Sequence, residues 1–185
     1  IKFNIKTFFI VRKFTLRNAI MDIIEGIFYE TDDLNSSQLF FRKSDDYVTI
    51  IYQEVEIAVI SDINNAIDLK QYSTFLKNFP ILLYDEFIAS KGEYSFEEWK
   101  SLQFIYSTVD RGEDRLYSDY FSHPKLFYLG NTENFDSPVI SNLQLFNILE
   151  NHEINTMTQY DNVLLEMRLN ESANEKTNSR AFKDE

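Results

Sequence analysis

The sequence predicts an α+β fold, with an antiparallel or mixed β-sheet packed with about four helices in a single domain. Short apolar or alternating segments, typical of strands, are bounded by turn residues, and longer segments carry apolar residues at helical spacing. The two kinds of segment do not alternate regularly, which favours helices on one face of the sheet over a doubly wound arrangement. With 185 residues, 44% of them hydrophobic, the chain is large enough to bury one core.

The first half of the chain contains the clearest elements. Residues 2–13 alternate and then become apolar, which predicts a strand that enters the core. Thr15 is placed to cap a helix over residues 15–29, whose apolar residues recur at helical spacing. Strands are predicted at residues 38–43 and 47–60. The longer strand changes parity near Gln53–Glu54, and we favour a tight turn there over a β-bulge.

The second half contains shorter elements. A helix is predicted over residues 63–78 and is stopped by Pro80. Residues 81–89 fit either a buried strand or a short helix. Ser95 and Glu98 form a capping box that begins another helix. The remaining predictions are a strand at 125–129, a helix at 141–151, a strand at 163–169, a single domain over 1–169 and a polar, flexible tail at 170–185.

The acidic balance of the chain restricts its partners. The formal net charge is −12, and residues 31–170 hold ten basic and 23 acidic residues, a net charge of −13. Such a charge disfavours binding to a nucleic-acid backbone, which needs basic residues, and to an anionic membrane. It favours a basic protein partner, because opposite charges accelerate association. The sequence therefore predicts neither nucleic acid nor membrane among the partners.

Several classes of protein are disfavoured by what the sequence lacks. There is no cysteine, which excludes disulfides and thiolate zinc sites. The longest apolar runs, such as residues 8–11 and 81–84, have about four residues, against about 20 for a membrane-spanning helix. Charged residues flank the first run and no small-residue cleavage site follows it. No signal peptide is predicted, and the expected location is the cytoplasm.

No recognised catalytic or metal-binding motif is present. The chain has four glycines, at Gly26, Gly92, Gly112 and Gly130. They are too far apart for a dinucleotide-binding or phosphate-binding loop. His123 and His152 have no identified catalytic partner, and a position near a helix end explains His152 without catalysis. We predict that the chain is not an enzyme and binds no cofactor or metal.

Carboxylates occur in five adjacent pairs. These are Asp32–Asp33, Asp45–Asp46, Asp85–Glu86, Glu97–Glu98 and Glu113–Asp114. Adjacent side chains do not face each other on a helix or a strand, so no pair is predicted to supply the acid and base of glycoside hydrolysis. Turns and first helical turns favour Asp and Glu locally, which explains three of the pairs without catalysis.

The segment after the helix that Ser95 begins has an unusual surface composition. Arg111 and Arg115 flank two carboxylates and are followed by tyrosines. Tyr and Arg are enriched at protein interfaces, so this segment and the acidic turns are predicted to bind a partner. The predicted partner-binding residues are Asp32, Asp33, Asp45, Asp46, Arg111, Glu113, Asp114, Arg115, Tyr117 and Tyr120.

These observations favour a non-catalytic acidic protein that binds a basic protein. In size, acidity and absence of motifs, the chain resembles bacterial immunity proteins, which neutralise a cognate toxin. The resemblance implies an antitoxin-type inhibitor that masks the active surface of a basic toxin such as a nuclease, with carboxylates that steer fast association.

Three alternatives belong to other classes. A nucleic-acid mimic that inhibits a host defence protein would carry acidic residues along one elongated face. An enzyme with an unrecognised site would use His123, with Asp119 as the neighbouring carboxylate. A structural or accessory subunit would need neither arrangement.

Overall fold

A computed structural model of the chain describes residues 6–89, 93–111, 122–131 and 135–168. The chain divides into two compact units, Ile1–Leu143 and Gln144–Glu185, which are described separately. The first unit contains a mixed six-stranded sheet and the second a small antiparallel sheet, so the predicted α+β class is confirmed. The predicted domain boundary at residue 169 stays a prediction.

Four neighbouring strands of the larger sheet are parallel. The strands are β1 (Thr7–Val11), β2 (Leu39–Lys43), β3 (Tyr47–Tyr52), β4 (Val55–Asp62), β5 (Ile81–Tyr84) and β6 (Lys125–Tyr128). Their order is β2-β3-β4-β1-β5-β6, in which β4, β1, β5 and β6 run parallel and β3 is antiparallel to both of its neighbours. The carboxyl ends of the four parallel strands therefore lie at one edge, here called the carboxyl edge. The opposite edge is called the amino edge.

Helices cover both faces of this sheet. On one face, α1 (Leu16–Glu30) packs Ile20 and Met21 against Val11 of β1. On the other face, α3 (Glu98–Val109) packs Leu102 against Phe8 of β1. The prediction of helices on one face is therefore wrong. Parallel strands that are buried on both faces have continuous apolar sequences. Burial on both faces therefore explains why four consecutive residues of β1 are apolar.

The side chains of β6 are less buried than those of the neighbouring strand β5. This strand is one of the two edge strands, and β2 is the other. Phe127 of β6 is 50% exposed, whereas Leu82 of the neighbouring β5 is fully buried. The core is therefore centred on β1 and β5.

The helix predicted over residues 63–78 is broken into three pieces. These are two 3₁₀ turns, Ile63–Asn65 and Asp68–Tyr72, and one helical turn, α2 (Ser73–Leu76). The cause lies in two asparagines whose side chains bond away from a helix. Asn64 Nδ2 donates to the carbonyl of Arg12, and Asn65 Nδ2 donates to the carbonyl of Asp46. These bonds tie the start of the segment to the end of β1 and to the turn between β2 and β3.

The helix predicted at 141–151 is also two short helices. The first, α4 (Pro138–Asn142), is capped by Ser137, whose Oγ accepts the Val139 N–H, and not by Ser141. Gln144 then adopts a left-handed φ of 56°. A left-handed residue ends a helix, so the apolar pattern could not continue as one element.

The turn predicted between β3 and β4 is confirmed. Gln53 and Glu54 both have positive φ, 50° and 63°, as two-residue hairpin turns require. The register of the hairpin also shifts between Ile50 and Ile51, where the partner residue changes from Ala58 to Glu56. A tight turn and a bulge-like irregularity are thus both present.

The second unit contains a hairpin with a preceding helix. α5 (Phe146–Glu150) is followed by β7 (Thr156–Tyr160) and β8 (Val163–Met167), which pair in antiparallel fashion. The last strand agrees with the predicted one, but β7 was not predicted. Its apolar residues are few, so its alternation is weak in the sequence.

Truncation of the buried side chain of Leu82 tests the position of the core. Leu82→Ala should lower the free energy of unfolding by about 2–5 kcal/mol, because a cavity remains in the core beside β5. Leu164→Ala, at a residue that is 63% exposed, should change it by less than about 0.5 kcal/mol. Urea denaturation of both variants measures these values. Equal losses would contradict the assignment of the core.

Candidate functional site

The carboxyl edge brings together charged residues from several elements. Arg12 follows β1, Asp62 ends β4, and Asp85 follows β5. In open sheets of parallel strands, ligands bind outside the carboxyl ends of the strands, where side chains and loops of neighbouring strands meet. The carboxyl edge is therefore the expected position of a ligand-binding site.

Asp85 and Glu86 lie directly beyond the end of β5, between two parallel neighbours. Tyr84, the last residue of the strand, is paired with Ile10 on one side and Tyr128 on the other. The backbone of Asp85 still donates to the Ile10 carbonyl, at 3.3 Å. Glu86 then adopts a left-handed φ of 54°, and its N–H donates to Asp85 Oδ1 at 3.0 Å. The two carboxylates are thus fixed to a central strand.

These carboxylates are more available than Asp62, which lies at the same edge. Within the described residues, Asp85 Oδ2 and the carboxylate of Glu86 make no hydrogen bond. By contrast, Asp62 caps the backbone N–H of Asn64 and pairs with Arg17 at 3.6 Å. Asp85 is half-buried and Glu86 is exposed, so both can meet a ligand from solvent.

A buried cluster lies behind this pair. Arg12 Nε donates to Glu98 Oε2 at 3.2 Å, and its Nη2 donates to the backbone carbonyl of Glu86. Tyr84 donates its hydroxyl to Glu98 Oε1 at 2.7 Å. The N–H of Ser95 donates to Glu98 Oε2 at 3.0 Å. Arg12 and Glu98 are 5% and 1% exposed, so this is a desolvated ion pair with both carboxylate oxygens used.

Burial and charge shift the titration of this cluster. Burial, and then the charge of Glu98, raise the pKa of Tyr84 well above its usual range. Burial disfavours the charged form of Arg12, but the combined effects of Tyr84 and Glu98 are larger and raise its pKa. Arg12 therefore stays cationic and Tyr84 stays protonated at neutral pH.

The predicted acidic turns lie at opposite edges. Asp45 and Asp46 are in the turn between β2 and β3, at the carboxyl edge. The hydroxyl of Tyr72 donates to Asp46 Oδ2 at 2.9 Å, and Arg17 donates to the Asp45 carbonyl at 3.3 Å. The exposed pair Asp32–Asp33 follows α1 at the amino edge, about 17 Å away along the five residues of β2. The structure does not bring these pairs into one acidic surface.

The predicted interface segment is only partly described. Arg111 follows α3 at the amino edge, and its Nη1 donates to Ser73 Oγ at 3.3 Å. The other predicted residues of this segment lie outside the described residues. They are Glu113, Asp114, Arg115, Tyr117 and Tyr120.

The proposed histidine site is far from the carboxyl edge. His123 Nδ1 lies 3.3 Å from Oδ1 of Asp110, which follows α3, and the histidine is mostly exposed. The 12 residues of α3 place this pair about 18 Å from Glu98, at the amino edge. Asp119, the predicted partner of His123, lies outside the described residues.

A cavity of about 430 Å³ lies away from these charged groups. It is bounded by α1 and by the starts of β1 and β4 at the amino edge, and its lining is mainly apolar. Thr7, Phe28 and Val55 are among its lining residues. It therefore offers none of the carboxylates of the carboxyl edge.

Asp85, Glu86 and Glu98 are not among the site residues predicted from the sequence. A signal for the first two was present, because two carboxylates that directly follow an apolar strand lie where ligands bind in parallel sheets. Five adjacent acidic pairs occur in the sequence, so the pairing of Asp85 with Glu86 did not by itself indicate a site. The role of Glu98 had no local signal, because its partner Arg12 is 86 residues away in the sequence.

Two solved structures resemble the chain, and both come from a viral packaging motor. The sequence itself matches no protein-family model and no curated protein. The N-terminal domain of the DNA packaging ATPase from bacteriophage phi29 is 16% identical, with a TM-score of 0.59 over 90% of this chain and 76% of that one. The bacteriophage phi29 genome packaging motor assembly is 15% identical, with a TM-score of 0.49 over 88% of this chain and 44% of that one.

The first comparison establishes the fold and corrects the functional hypothesis. The chain shares its fold with a domain of a packaging ATPase. The hypothesis of an immunity protein or antitoxin, with a basic toxin as partner and no nucleic acid, is therefore wrong. That hypothesis required a scaffold that gathers carboxylates on one surface. The shared fold with a packaging ATPase domain does not support the alternative of a nucleic-acid mimic either.

Two further features are limited to the described parts of the chain. There, no helix combines the length and the apolar character that crossing a membrane would need. Residues 6–89, 93–111, 122–131 and 135–168 also contain no cluster of three or more His, Asp or Glu side chains able to hold a metal ion. A metal at Asp85 would therefore need ligands from elsewhere.

The buried Tyr84 and the partly buried Tyr128 should weaken the fold at alkaline pH. Burial raises the pKa of Tyr128 to about 12 and that of Tyr84 further, against an ordinary value of 10.0 in the unfolded chain. A raised pKa in the folded state stabilises the fold below pH 10.0, and this stability is lost as the pH rises towards about 12. Urea midpoints and tyrosinate absorbance over this range measure the effect.

Tyr128→Phe is the control for this titration. It should remove part of the pH dependence without exposing the core. Titration of every tyrosine near pH 10 in the folded protein would contradict the burial of these two residues.

Proposed function

We propose that this chain forms the metal-binding and water-orienting part of an ATP-hydrolysing domain in a viral DNA packaging motor. The observation that carries the proposal is the position of Asp85 and Glu86, free and adjacent, at the carboxyl end of a central parallel strand. The shared fold with a packaging ATPase domain supports it.

Asp85 fits the requirement for a ligand of Mg²⁺. Mg²⁺ keeps several waters and is bound by one or two carboxylates together with substrate phosphates, so a single protein carboxylate suffices. Asp85 Oδ1 accepts a hydrogen bond from the Glu86 N–H, which fixes the side chain. The other oxygen, Oδ2, is then free to bind the metal ion. Mg²⁺ bound there would neutralise negative charge that develops on the transferred phosphoryl group.

Glu86 fits the role of the group that orients and deprotonates the attacking water. Its carboxylate is exposed and follows the metal-binding candidate directly. A general base must lie within reach of the proton that it accepts, and a rigid strand end provides that position. The left-handed φ of Glu86 ends the extended backbone of β5 directly after Asp85.

The phosphate-binding loop is not supplied by these residues. The four glycines of the 185-residue sequence form no such loop, so the proposal requires a loop from outside it. For this reason the 185 residues alone are still predicted to be non-catalytic. The predicted cytoplasmic location also stays a prediction.

In this proposal the partners of the chain include DNA and the other proteins of the packaging motor.

The role of Glu86 is tested by Glu86→Gln in the full-length gene product. The variant should bind ATP as the wild type does but hydrolyse it about 10²–10⁴-fold more slowly, because a general base is lost. Phosphate release and equilibrium binding of a fluorescent ATP analogue measure the two steps. Wild-type hydrolysis by the variant would refute the assignment.

The role of Asp85 is tested by Asp85→Asn, with Asp45→Asn as the matched control at the same edge. Asp85→Asn should raise the Mg²⁺ concentration needed for half-maximal hydrolysis by about tenfold or more, since a charged ligand is lost. Asp45→Asn removes an exposed carboxylate and should leave that concentration unchanged. Titration of hydrolysis with Mg²⁺ distinguishes them, and equal effects would count against Asp85 as the ligand.

A further inference from the structure

Arg12 connects three separate elements of the fold behind Asp85 and Glu86. It follows the central strand β1, donates to the carboxylate of Glu98 at the start of α3, and donates to the backbone carbonyl of Glu86. Its guanidinium also lies 5.8 Å from the ring centre of Tyr84 and 5.3 Å from that of Tyr94. A planar guanidinium can make such directed bonds simultaneously, which an ammonium group cannot reproduce.

The contacts of the cluster lie on both sides of Asp85. Tyr84 precedes Asp85, and its hydroxyl is held by Glu98 at 2.7 Å. Glu86 follows Asp85, and its carbonyl is held by Arg12. Because Glu98 also binds Arg12, the residues before and after Asp85 are fixed to one buried ion pair.

The left-handed backbone at Glu86 needs such support. A non-glycine residue with positive φ is strained and persists only when its surroundings hold it. Among the described residues, the carbonyl of Glu86 has the Arg12 side chain as its donor. Loss of that bond would free the segment that carries both carboxylates.

We propose that Arg12 and Glu98 are positioning residues that hold Asp85 and Glu86 in the geometry for hydrolysis. This inference rests on the proposed function. Neither side chain can touch the substrate, because both are buried beneath the strand end. They act through the backbone of Glu86 and the side chain of Tyr84.

A second buried ion pair provides a matched control. Arg17 is 3% exposed, pairs with Asp62, and lies at the same edge. Its hydrogen bonds reach the carbonyl of Asp45, and none of them reaches the described residues that follow β5. Arg12→Lys and Arg17→Lys thus make the same chemical change in two equally buried pairs, of which one supports Asp85 and Glu86.

The first measurement is hydrogen exchange in the nucleotide-free, full-length gene product. Arg12→Lys should increase the exchange rate of backbone amides in residues 84–89 by about tenfold, because the strained turn is released. Arg17→Lys should leave the exchange of this segment unchanged. This measurement does not depend on nucleotide.

The second measurement is steady-state ATP hydrolysis by the same variants. Arg12→Lys should lower kcat by about tenfold to a hundredfold and leave KM within about twofold, because small displacements of reacting groups affect the chemical step. Arg17→Lys should leave both constants within about twofold. Tyr84→Phe, which keeps the ring but removes the hydroxyl bond to Glu98, should lower kcat by about threefold.

The outcomes separate this inference from the proposed function. A wild-type protein that does not hydrolyse ATP overturns both. An active wild type with an Arg12→Lys variant that matches Arg17→Lys in exchange and in kcat overturns the positioning role alone. If the Arg12→Lys variant does not fold, the Tyr84→Phe variant tests the inference instead. Wild-type values of kcat and of the exchange rate in Tyr84→Phe would then overturn it.

Discussion

The parallel pairing of β1 with both β4 and β5 is the constraint on which the rest of the structure depends. It places β1 in the middle of the sheet, so that both of its faces must be covered by helices. It also brings Arg12, Asp62 and Asp85, which are distant in the sequence, to one edge. A shift of β1 by one residue would exchange its two faces and carry Arg12 away from Glu98.

The acidity of the chain has more than one origin. Glu98 and Asp62 are buried opposite arginines, and such pairs gain little stability but allow one arrangement of partners. Asp32 and Asp33 are exposed in a loop, where their charges remain hydrated and have little effect on the free energy of folding. Among the described residues, Asp85 and Glu86 are the free carboxylates at the carboxyl end of a central strand. Net charge alone could not distinguish these situations, and the immunity-protein hypothesis failed for that reason.

Local patterns were sufficient to predict much of the fold. The helix α1, the strands of the β3–β4 hairpin and its turn at Gln53–Glu54 follow from periodicity and parity. The broken segment after Asp62 could not be predicted, because Asn64 and Asn65 bond to residues brought close only by the fold. Only part of the site could be predicted from the sequence. Asp85 and Glu86 follow an apolar strand, which the sequence shows. The ion pair of Arg12 and Glu98 depends on the parallel register of β1 and β5, which the sequence does not show.

The edge position of β6 has a practical consequence. Among the described residues, no strand pairs with the outer side of β6, and Phe127 of this strand is 50% exposed. The backbone groups of such an edge strand can pair with an extended segment of a second molecule. Samples of the protein should therefore be kept dilute, and their size checked by light scattering before any crystallisation or kinetic work.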